Sequence, residues 1–222
     1  MRSIQRTLDR GTVSSIAAAC LAVAMIGVSY GAAAVGSGFP AWMPVLLACT
    51  VLAGGSEFLF FGILAAGASP IAAALAGLLV NARHLGYGLS MPDVFGTGRR
   101  RLLGVHLMID ESVAFALGPG DLARKRAAYW MCGIGIAVVW PLGAALGALV
   151  GSVVPDIDAF GMDAVFPAVL LALILPALRD PRTRRAAIAG AVIAVAVGPF
   201  VPAGLPVLIA LAGLLFVIGA AR

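Results

Sequence analysis

The protein has 222 residues, of which 62% are hydrophobic and 11% are charged, and its mean hydropathy is +1.06. Ordinary soluble domains carry about 25% charged residues, so this composition excludes a soluble globular domain and indicates an integral membrane protein. The net charge of +5 does not indicate nucleic-acid binding, because the basic residues fall in short clusters between apolar runs and not on one face interleaved with aromatic side chains.

Eight apolar segments follow one another along the chain, and a spanning helix needs about 20 such residues. They cover residues 13–35, 42–66, 70–95, 102–118, 128–153, 164–178, 186–201 and 205–221. The first segment resembles a signal peptide but exceeds a signal h-region of about 7–15 residues, so we predict a retained transmembrane helix. The last two are separated only by residues 202–204, which predicts a tight helical hairpin. We expect one integral membrane transporter domain over residues 1–222.

Basic clusters between the segments indicate how the chain is oriented, because cytoplasmic loops are enriched in lysine and arginine. The basic N-terminus at residues 1–12, the cluster at 124–126 and the loop at 179–185 are therefore predicted to be cytoplasmic. The loop at 155–163 is acidic and is predicted to lie outside.

Two arrangements of the spans fit these charges. Eight simple crossings place both termini inside but leave the arginine triplet at 99–101 outside, against the positive-inside rule. If segment 102–118 is re-entrant, the triplet returns to the inside, and either 42–66 or 70–95 must also fail to cross. The predicted fold class is all-α, a polytopic transmembrane helix bundle of about 6–8 spans, with broken or re-entrant helices within residues 42–118.

The first polar interruption is a carboxylate behind two glycines, in the sequence AGGSEFLFFG that begins at Ala53. An ionisable side chain in a membrane span costs about 2.5–3.5 kcal/mol on insertion scales, so it must face a cavity or a partner. Paired glycines weaken a helix by about 1 kcal/mol each and permit a break whose free N–H groups bind a charged solute. The predicted substrate-binding residues here are Gly54, Gly55, Ser56 and Glu57. The alternative is a packing contact with the carboxylate in a structural ion pair.

The second polar interruption, NARHLGYG, follows a short apolar run and places Arg83 deep within an apolar region. Helical spacing puts Asn81 and His84 on one face and Arg83 with Tyr87 on another, and all four are predicted to bind substrate. Arg83 is expected to pair with Glu57 or to bind a carboxylate through both prongs of its guanidinium. The alternative has Arg83 reaching the membrane interface beside Tyr87.

The third polar interruption, HLMIDES, places His106 and Asp110 four residues apart, so they are predicted to share a helix face. A histidine–carboxylate pair inside a membrane is suited to proton transfer. The predicted proton-coupling residues are Glu57, His106, Asp110 and Glu111, the last of which points elsewhere to cap the helix or to pair with a basic loop. The alternative is that 102–118 is only half-inserted and these groups lie in water.

Motifs for enzymatic or metal chemistry are missing from the sequence. His84 and His106 lack HExxH spacing, and neither a GxSxG nor a Walker motif occurs. Cys20, Cys49 and Cys132 lie in apolar runs without CxxC spacing, which predicts small buried packing side chains and neither a disulfide nor a metal site. We therefore expect a non-enzymatic protein without a cofactor, in which any transport is secondary or partner-driven.

Together, the three interruptions resemble the AzlC-type large subunits of bacterial branched-chain amino acid exporters. The segments GGSEFLFFGILAAGASP, LLVNARHLGYGLS and LMIDESVAFAL are similar to that family's AGASQF with LAAGAS, N-x-RH-x-x-YG and T-D-E stretches, in the same order. The resemblance extends from about Gly27 to Asp180. Glu57 stands where the family usually has glutamine, and Ile109 stands where it usually has threonine.

The resemblance implies a secondary exporter of leucine, isoleucine and valine, with methionine as a further candidate, in a bacterial plasma (inner) membrane. It also implies a small hydrophobic partner subunit of the AzlD type and energy from the membrane potential or the proton gradient.

As a hypothesis from the residues, Glu57 or Asp110 faces the substrate ammonium, Arg83 faces its carboxylate, and an apolar pocket that includes Phe58 and Phe61 receives the branched side chain. Two alternatives to this hypothesis remain open. One is a secondary transporter of another small solute, which the glutamate at position 57 favours. The other is a non-transporting membrane scaffold or assembly subunit.

Overall fold

A computed structural model of the protein describes residues 7–153, 168, 171, 175, 177–201 and 205–214. Within these residues the chain forms helices and no strand, as predicted for the all-α class. Three of the described helices are long and apolar enough to cross a membrane: Arg10–Gly36, Leu122–Val153 and Pro181–Phe200. The acidic loop predicted at 155–163 and most of segment 164–178 lie outside the described residues.

The described residues form ten α-helices, which we number in chain order. They are α1 Arg10–Gly36, α2 Trp42–Thr50, α3 Gly54–Ala65, α4 Pro70–Asn81, α5 Arg83–Ser90, α6 Arg99–His106, α7 Asp110–Leu117, α8 Leu122–Val153, α9 Pro181–Val197 and α10 Leu205–Ile209. Short 3-10 helices cover Ala177–Arg179, Gly198–Phe200 and Ala210–Leu214. Helices α2 to α7 have at most 12 residues, about 18 Å, and the hydrocarbon core is about 30 Å thick. The interruptions predicted within residues 42–118 are confirmed.

Two compact units make up the chain. The first contains Met1–Gly54 and Asn81–Phe160, and the second contains Gly55–Val80 and Gly161–Arg222. Helices α1, α2 and α5 to α8 therefore belong to the first unit. Nearly all of α3 and α4, together with α9 and α10, belongs to the second.

Helices α1 and α8 of the first unit pack against each other along a line of glycines. Five glycines recur at four-residue spacing on the two helices: Gly27, Gly31, Gly143, Gly147 and Gly151. A β-carbon at Gly31 would overlap the carbonyl oxygen of Ala144, and one at Gly147 would overlap that of Val28. Small residues at this spacing let two backbones approach closely, which favours helix association in lipid through packing.

The contacts between α1 and α8 advance together along both helices. Early in α1, the sulfur of Cys20 lies against Gly135, and late in α1 the backbone of Ala32 lies against Gly151. The two helices are therefore parallel and begin at the same end of the unit. The chain between them leads from the last residue of α1 back to the end of the unit at which α1 began, so it makes an odd net number of crossings.

Arg124 joins the starts of α1 and α8. Its Nη2 contacts the carboxylate of Asp9 and lies 3.0 Å from the hydroxyl of Thr12. The carboxylate of Asp9 caps α1 by accepting hydrogen bonds from the hydroxyl of Thr12 at 2.7 Å and from its backbone N–H at 3.2 Å. Both hydrogen bonds lower the pKa of Asp9, the one from the hydroxyl more than the one from the backbone N–H, and bring it to about 2. The carboxylate is therefore ionised at neutral pH. The N-terminal end of α1 and the basic cluster at 124–126 thus share one side, as predicted.

Helix α6 begins, and helix α7 ends, beside the start of α8. Ahead of α6, the carbonyl oxygen of Asp93 accepts a hydrogen bond from Nε of Arg126 at 2.7 Å. The next carbonyl oxygen, that of Val94, accepts one from Nε1 of Trp130 at 3.2 Å. Helix α7 ends at Leu117, shortly before α8 begins. Both ends of this helical hairpin therefore lie at the same end of the unit.

The tip of the hairpin lies beside the apolar part of α8. Tyr129 donates a buried hydrogen bond to the carbonyl oxygen of Gly104 at 2.6 Å, and Leu107 lies against Gly133. Gly133 is about 10 Å along α8 from Arg126, the last charged residue of that helix. The geometry therefore supports the re-entrant arrangement of segment 102–118 and puts the arginine triplet that opens α6 on the side of Arg126.

Cysteine accessibility checks this topology. In a chain freed of its own cysteines, Thr97→Cys and Ala123→Cys are expected to react with a membrane-impermeant maleimide from one and the same side, because both flank the base of the hairpin. Ser37→Cys, which follows α1, is the control and should react from the opposite side. All three positions are exposed. Labelling of Thr97→Cys from the side of Ser37→Cys would contradict the re-entrant hairpin.

The second unit packs α3 with α4 and α9 with the C-terminal helices. Its buried cluster contains three residues of α3 and α4: Ile63, Ala73 and Ala76. The backbone of Gly190 in α9 lies against Ala210 and Gly213. The hairpin predicted for the last two apolar segments is thereby confirmed for the described residues, while residues 202–204 lie outside them.

Large apolar side chains cover the outward surfaces of the three long helices. Their exposed members include Leu21, Met25, Leu142, Leu149, Val192 and Val195. Such surfaces are stable in lipid and not in water. Among the cysteines, Cys132 is buried as predicted and Cys20 is partly buried, whereas the prediction of burial is wrong for Cys49, which is exposed near the end of α2.

Candidate functional site

The first helix break lies between α2 and α3. Helix α2 ends at Thr50 and α3 begins at Gly54. Between them, Leu52 has a φ of 52° although it carries a side chain and is buried. A positive φ is uncommon for such a residue, so the surrounding packing holds the chain in this turn. The break predicted at the paired glycines is confirmed, because α3 begins at the first of them.

Gly54 packs closely against one ring of an aromatic pair. A β-carbon at this position would be 3.2 Å from the indole ring of Trp140. That ring stacks on Tyr30 with ring centroids 5.1 Å apart and an interplanar angle of 19°. Trp140 precedes Pro141 inside α8, so Gly54 lies against the part of α8 in which a proline interrupts the backbone hydrogen bonds.

Glu57 is buried in the first turn of α3, with 1% of its surface exposed. Its neighbours Ser56, Phe58 and Phe61 are also buried. The partial positive charge at a helix N-terminus favours a carboxylate in the first turn. Glu57 thus lies one turn after the break, as the sequence predicted.

The second helix break separates α6 from α7 and is held by Ser112, which is fully buried. Its hydroxyl accepts a hydrogen bond from the N–H of Ile109 at 3.1 Å and donates to the carbonyl oxygen of Leu107 at 2.8 Å. These bonds satisfy backbone groups that a continuous helix would have paired. His106 therefore ends one helix and Asp110 begins the next, and the prediction that they share a helix face is wrong.

The two breaks approach each other at His106. Its Nε2 lies 3.1 Å from the carbonyl oxygen of Cys49, close to the end of α2. Helix α2 follows the end of α1 and α6 comes from the start of α8, so the two helices approach from opposite ends of the unit. Interrupted helices that meet within the membrane offer free backbone groups and helix ends to a charged solute.

Five polar side chains beside the second break form what we call the polar cluster: Asn81, Arg83, His84, Tyr87 and Asp110. Nη2 of Arg83 lies 2.9 Å from Oδ2 of Asp110, and the hydroxyl of Tyr87 donates to Oδ1 of Asp110 at 2.8 Å. Arg83 and Tyr87 therefore share a face of α5, as predicted. Asp110 is the first residue of α7, where the helix N-terminus favours its charge.

The junction between α4 and α5 carries the rest of the polar cluster. Nδ1 of His84 lies 2.8 Å from the carbonyl oxygen of Asn81, and its ring meets Tyr87 edge-on with centroids 5.7 Å apart. Oδ1 of Asn81 and Nε of Arg83 are buried and have no hydrogen-bond partner among the described residues. A buried polar atom without a partner costs about 1–3 kcal/mol. These two atoms are therefore positions at which a ligand would gain hydrogen bonds.

The structure brings together some of the predicted site residues and separates others. Arg83 and Asp110 form an ion pair whose side chains are 34% and 45% exposed, and Glu111 is half-buried next to it. Charged groups facing lipid are expensive, so this side of the unit must face water or another protein. His106 borders the second break but contacts the carbonyl oxygen of Cys49 near the first, so it lies outside the polar cluster, and Glu57 belongs to α3 of the second unit.

Three helices of membrane-spanning length and a charged cluster beside a helix break define a polytopic helical membrane protein. The sequence model described as AzlC protein matches residues 18–154, which include both breaks and the whole polar cluster. No solved structure matches the chain.

Curated relatives agree with this match. The branched-chain amino acid transport protein AzlC of Bacillus subtilis is 30% identical over 174 residues, 77% of this chain and 68% of the relative. An uncharacterized membrane protein of Haemophilus influenzae is 33% identical over 135 residues, 59% of this chain and 55% of the relative. The inner membrane protein YgaZ of Escherichia coli is 31% identical over 163 residues, 69% of this chain and 62% of the relative. The chain belongs to the AzlC family.

Proposed function

We propose that the protein is the large subunit of a secondary transporter that exports leucine, isoleucine and valine, with methionine as a further candidate. The observation that carries this proposal is the Arg83–Asp110 ion pair beside a helix break in the apolar part of the first unit. The name of the Bacillus subtilis relative, a branched-chain amino acid transport protein, supports the substrate class.

The polar cluster matches the charges of an amino acid zwitterion. Arg83 would bind the carboxylate, and Asp110 would face the ammonium once the two side chains separate. Charge-assisted hydrogen bonds of this kind are about twice as strong as neutral ones, so they offset the loss of the substrate's hydration. An apolar pocket discriminates one methylene by only about 1–3 kcal/mol, which fits a protein that accepts several branched side chains.

We further propose a small hydrophobic partner subunit of the AzlD type. The ion pair is partly exposed in the isolated chain, and Leu85 and Leu89 on the opposite face of α5 are 74% and 84% exposed. A membrane protein that covers the ion pair would shield the charges from lipid and leave an aqueous path to them. Copurification of the chain with the product of a neighbouring short hydrophobic open reading frame tests this.

The location and the driving force complete the proposal. The protein would lie in a bacterial inner membrane with its N-terminus in the cytoplasm, since the start of α1 and the basic clusters at 99–101 and 124–126 lie at the same end of the first unit. Export would use the membrane potential or the proton gradient, with no cofactor and no enzymatic step. His106, Asp110, Glu111 and Glu57 are the candidates for proton coupling.

Intracellular isoleucine after loading with an isoleucine-containing dipeptide tests the export function. Cells that express the chain with its partner should clear isoleucine faster than cells that lack both. Equal clearance with both proteins present in the membrane would overturn the proposed function. Faster clearance of a different solute, with isoleucine unchanged, would support the second candidate, a transporter of another small solute, which the glutamate at position 57 favours.

Glu57→Gln is expected to preserve the folded protein and to change the pH dependence of export. The amide has the same shape as the carboxylate and fits the same buried position, but it does not titrate. Efflux measured between about pH 5.5 and 8 in wild-type and variant vesicles provides the comparison, with protein amounts from an immunoblot. Identical pH profiles would exclude Glu57 from proton coupling, and a loss of protein would assign it a structural role.

A further inference from the structure

The Arg83–Asp110 ion pair leaves half of a carboxylate-binding edge unused. Nε and Nη2 of an arginine lie along one edge of its guanidinium, and this edge binds a carboxylate through two parallel hydrogen bonds. Along this edge, Nη2 of Arg83 contacts one oxygen of Asp110 at 2.9 Å. Nε is buried and has no hydrogen-bond partner among the residues that the structure describes.

Tyr87 accounts for the one-pronged contact. The second carboxylate oxygen of Asp110 accepts the hydroxyl hydrogen bond of Tyr87 at 2.8 Å, so it is turned to the tyrosine and not to Nε of Arg83. A carboxylate that enters from outside has no such bond to keep. It can occupy both Nε and Nη2, provided that Asp110 leaves Nη2.

We infer that Asp110 is an internal stand-in for the substrate carboxylate: it holds Arg83 in the empty site and is displaced when a carboxylate binds the Nε–Nη2 edge. Tyr87 is a positioning residue that acts through Asp110 by holding it in the one-pronged contact. The ligands are small aliphatic α-amino acids and the corresponding carboxylates that lack the amino group. For this ligand class the inference rests on the proposed function.

Binding of 4-methylpentanoate tests the inference, because this probe is leucine without its amino group and so reports on Arg83 alone. Vesicles that contain the full-length chain and its partner are titrated with the labelled probe. Asp110→Asn is expected to bind it about tenfold more tightly than wild type, because a neutral amide competes less well for the guanidinium than a carboxylate does. Unchanged or weaker binding, or no binding by either protein, would overturn the inference.

Tyr87→Phe provides a second test should Asp110→Asn fail to accumulate. Loss of the hydroxyl loosens Asp110, so the probe is expected to bind about threefold more tightly. Weaker or unchanged binding would again contradict displacement of Asp110, and Arg83→Gln should abolish binding in every case. If wild-type vesicles bind leucine but neither Asp110→Asn nor Tyr87→Phe binds the probe more tightly than wild type, the inference fails and the proposed function stands. Wild-type vesicles that do not bind leucine would overturn the proposed function, and the inference would fail with it.

Discussion

Arg83→Gln is expected to reduce amino acid export by about 30-fold or more, the largest functional effect that we predict for a single substitution. Truncating one partner of a hydrogen-bonded charge pair costs about 2–5 kcal/mol, much of it because the other charge is left alone. Here the substitution removes the cation that would bind the substrate carboxylate and also leaves Asp110 without its ion-pair partner. Export per unit of protein, from the dipeptide-loading measurement, reports the effect.

Two further substitutions distinguish the loss of the two-pronged binding edge from the loss of positive charge. Arg83→Lys keeps a cation for Asp110 but has no two-pronged edge, so we expect near-normal protein amounts and strongly reduced export. Arg100→Gln is the matched control, because Arg100 is exposed at the start of α6 and lies outside the polar cluster. Wild-type export by Arg83→Gln at equal protein amount would remove Arg83 from the site.

Gly147→Ala is expected to have the largest effect on stability, with a loss of about 1–3 kcal/mol or more. Its β-carbon would overlap the carbonyl oxygen of Val28, and backbone atoms cannot rotate away as a side chain would. Helices α1 and α8 would have to separate along their whole glycine line, which removes the packing that joins them in lipid. The fraction of protein that remains monodisperse after heating in detergent measures the loss.

A matched substitution controls for the change in helix propensity. Gly86 lies inside α5 with nothing within 4 Å of its β-carbon position, so Gly86→Ala is expected to be neutral or slightly stabilising. Equal stability of the two variants would show that close backbone contact at Gly147 is unimportant. Destabilisation confined to Gly147→Ala is the outcome that the packing predicts.

The two helix breaks differ in how far the sequence predicts them. The first follows from Gly54 and Gly55, because adjacent glycines weaken a helix wherever they occur. The second carries no glycine or proline between His106 and Asp110, and it depends on the buried hydroxyl of Ser112. Serine is common in helices and at their ends, so only the tertiary setting determines which role it takes.

The sequence also does not predict which charged side chains pair with each other. Spacing along α5 correctly placed Arg83 with Tyr87, since four residues separate them. It could not identify Asp110 as their shared partner, because that contact joins two helices far apart in the chain. The glycine spacing on α1 and α8 is visible in the sequence, whereas the parallel packing of the two helices comes only from their contacts.

A charge exchange between Arg83 and Asp110 tests most directly whether the pair is a substrate site and not a structural ion pair. The double variant Arg83→Asp with Asp110→Arg keeps one cation and one anion, so we predict that protein amounts recover relative to either single variant. Leucine export should not recover, because the guanidinium would lie on α7, away from the positions that bind the zwitterion. Recovery of both protein amount and leucine export in the double variant would contradict a substrate site at Arg83.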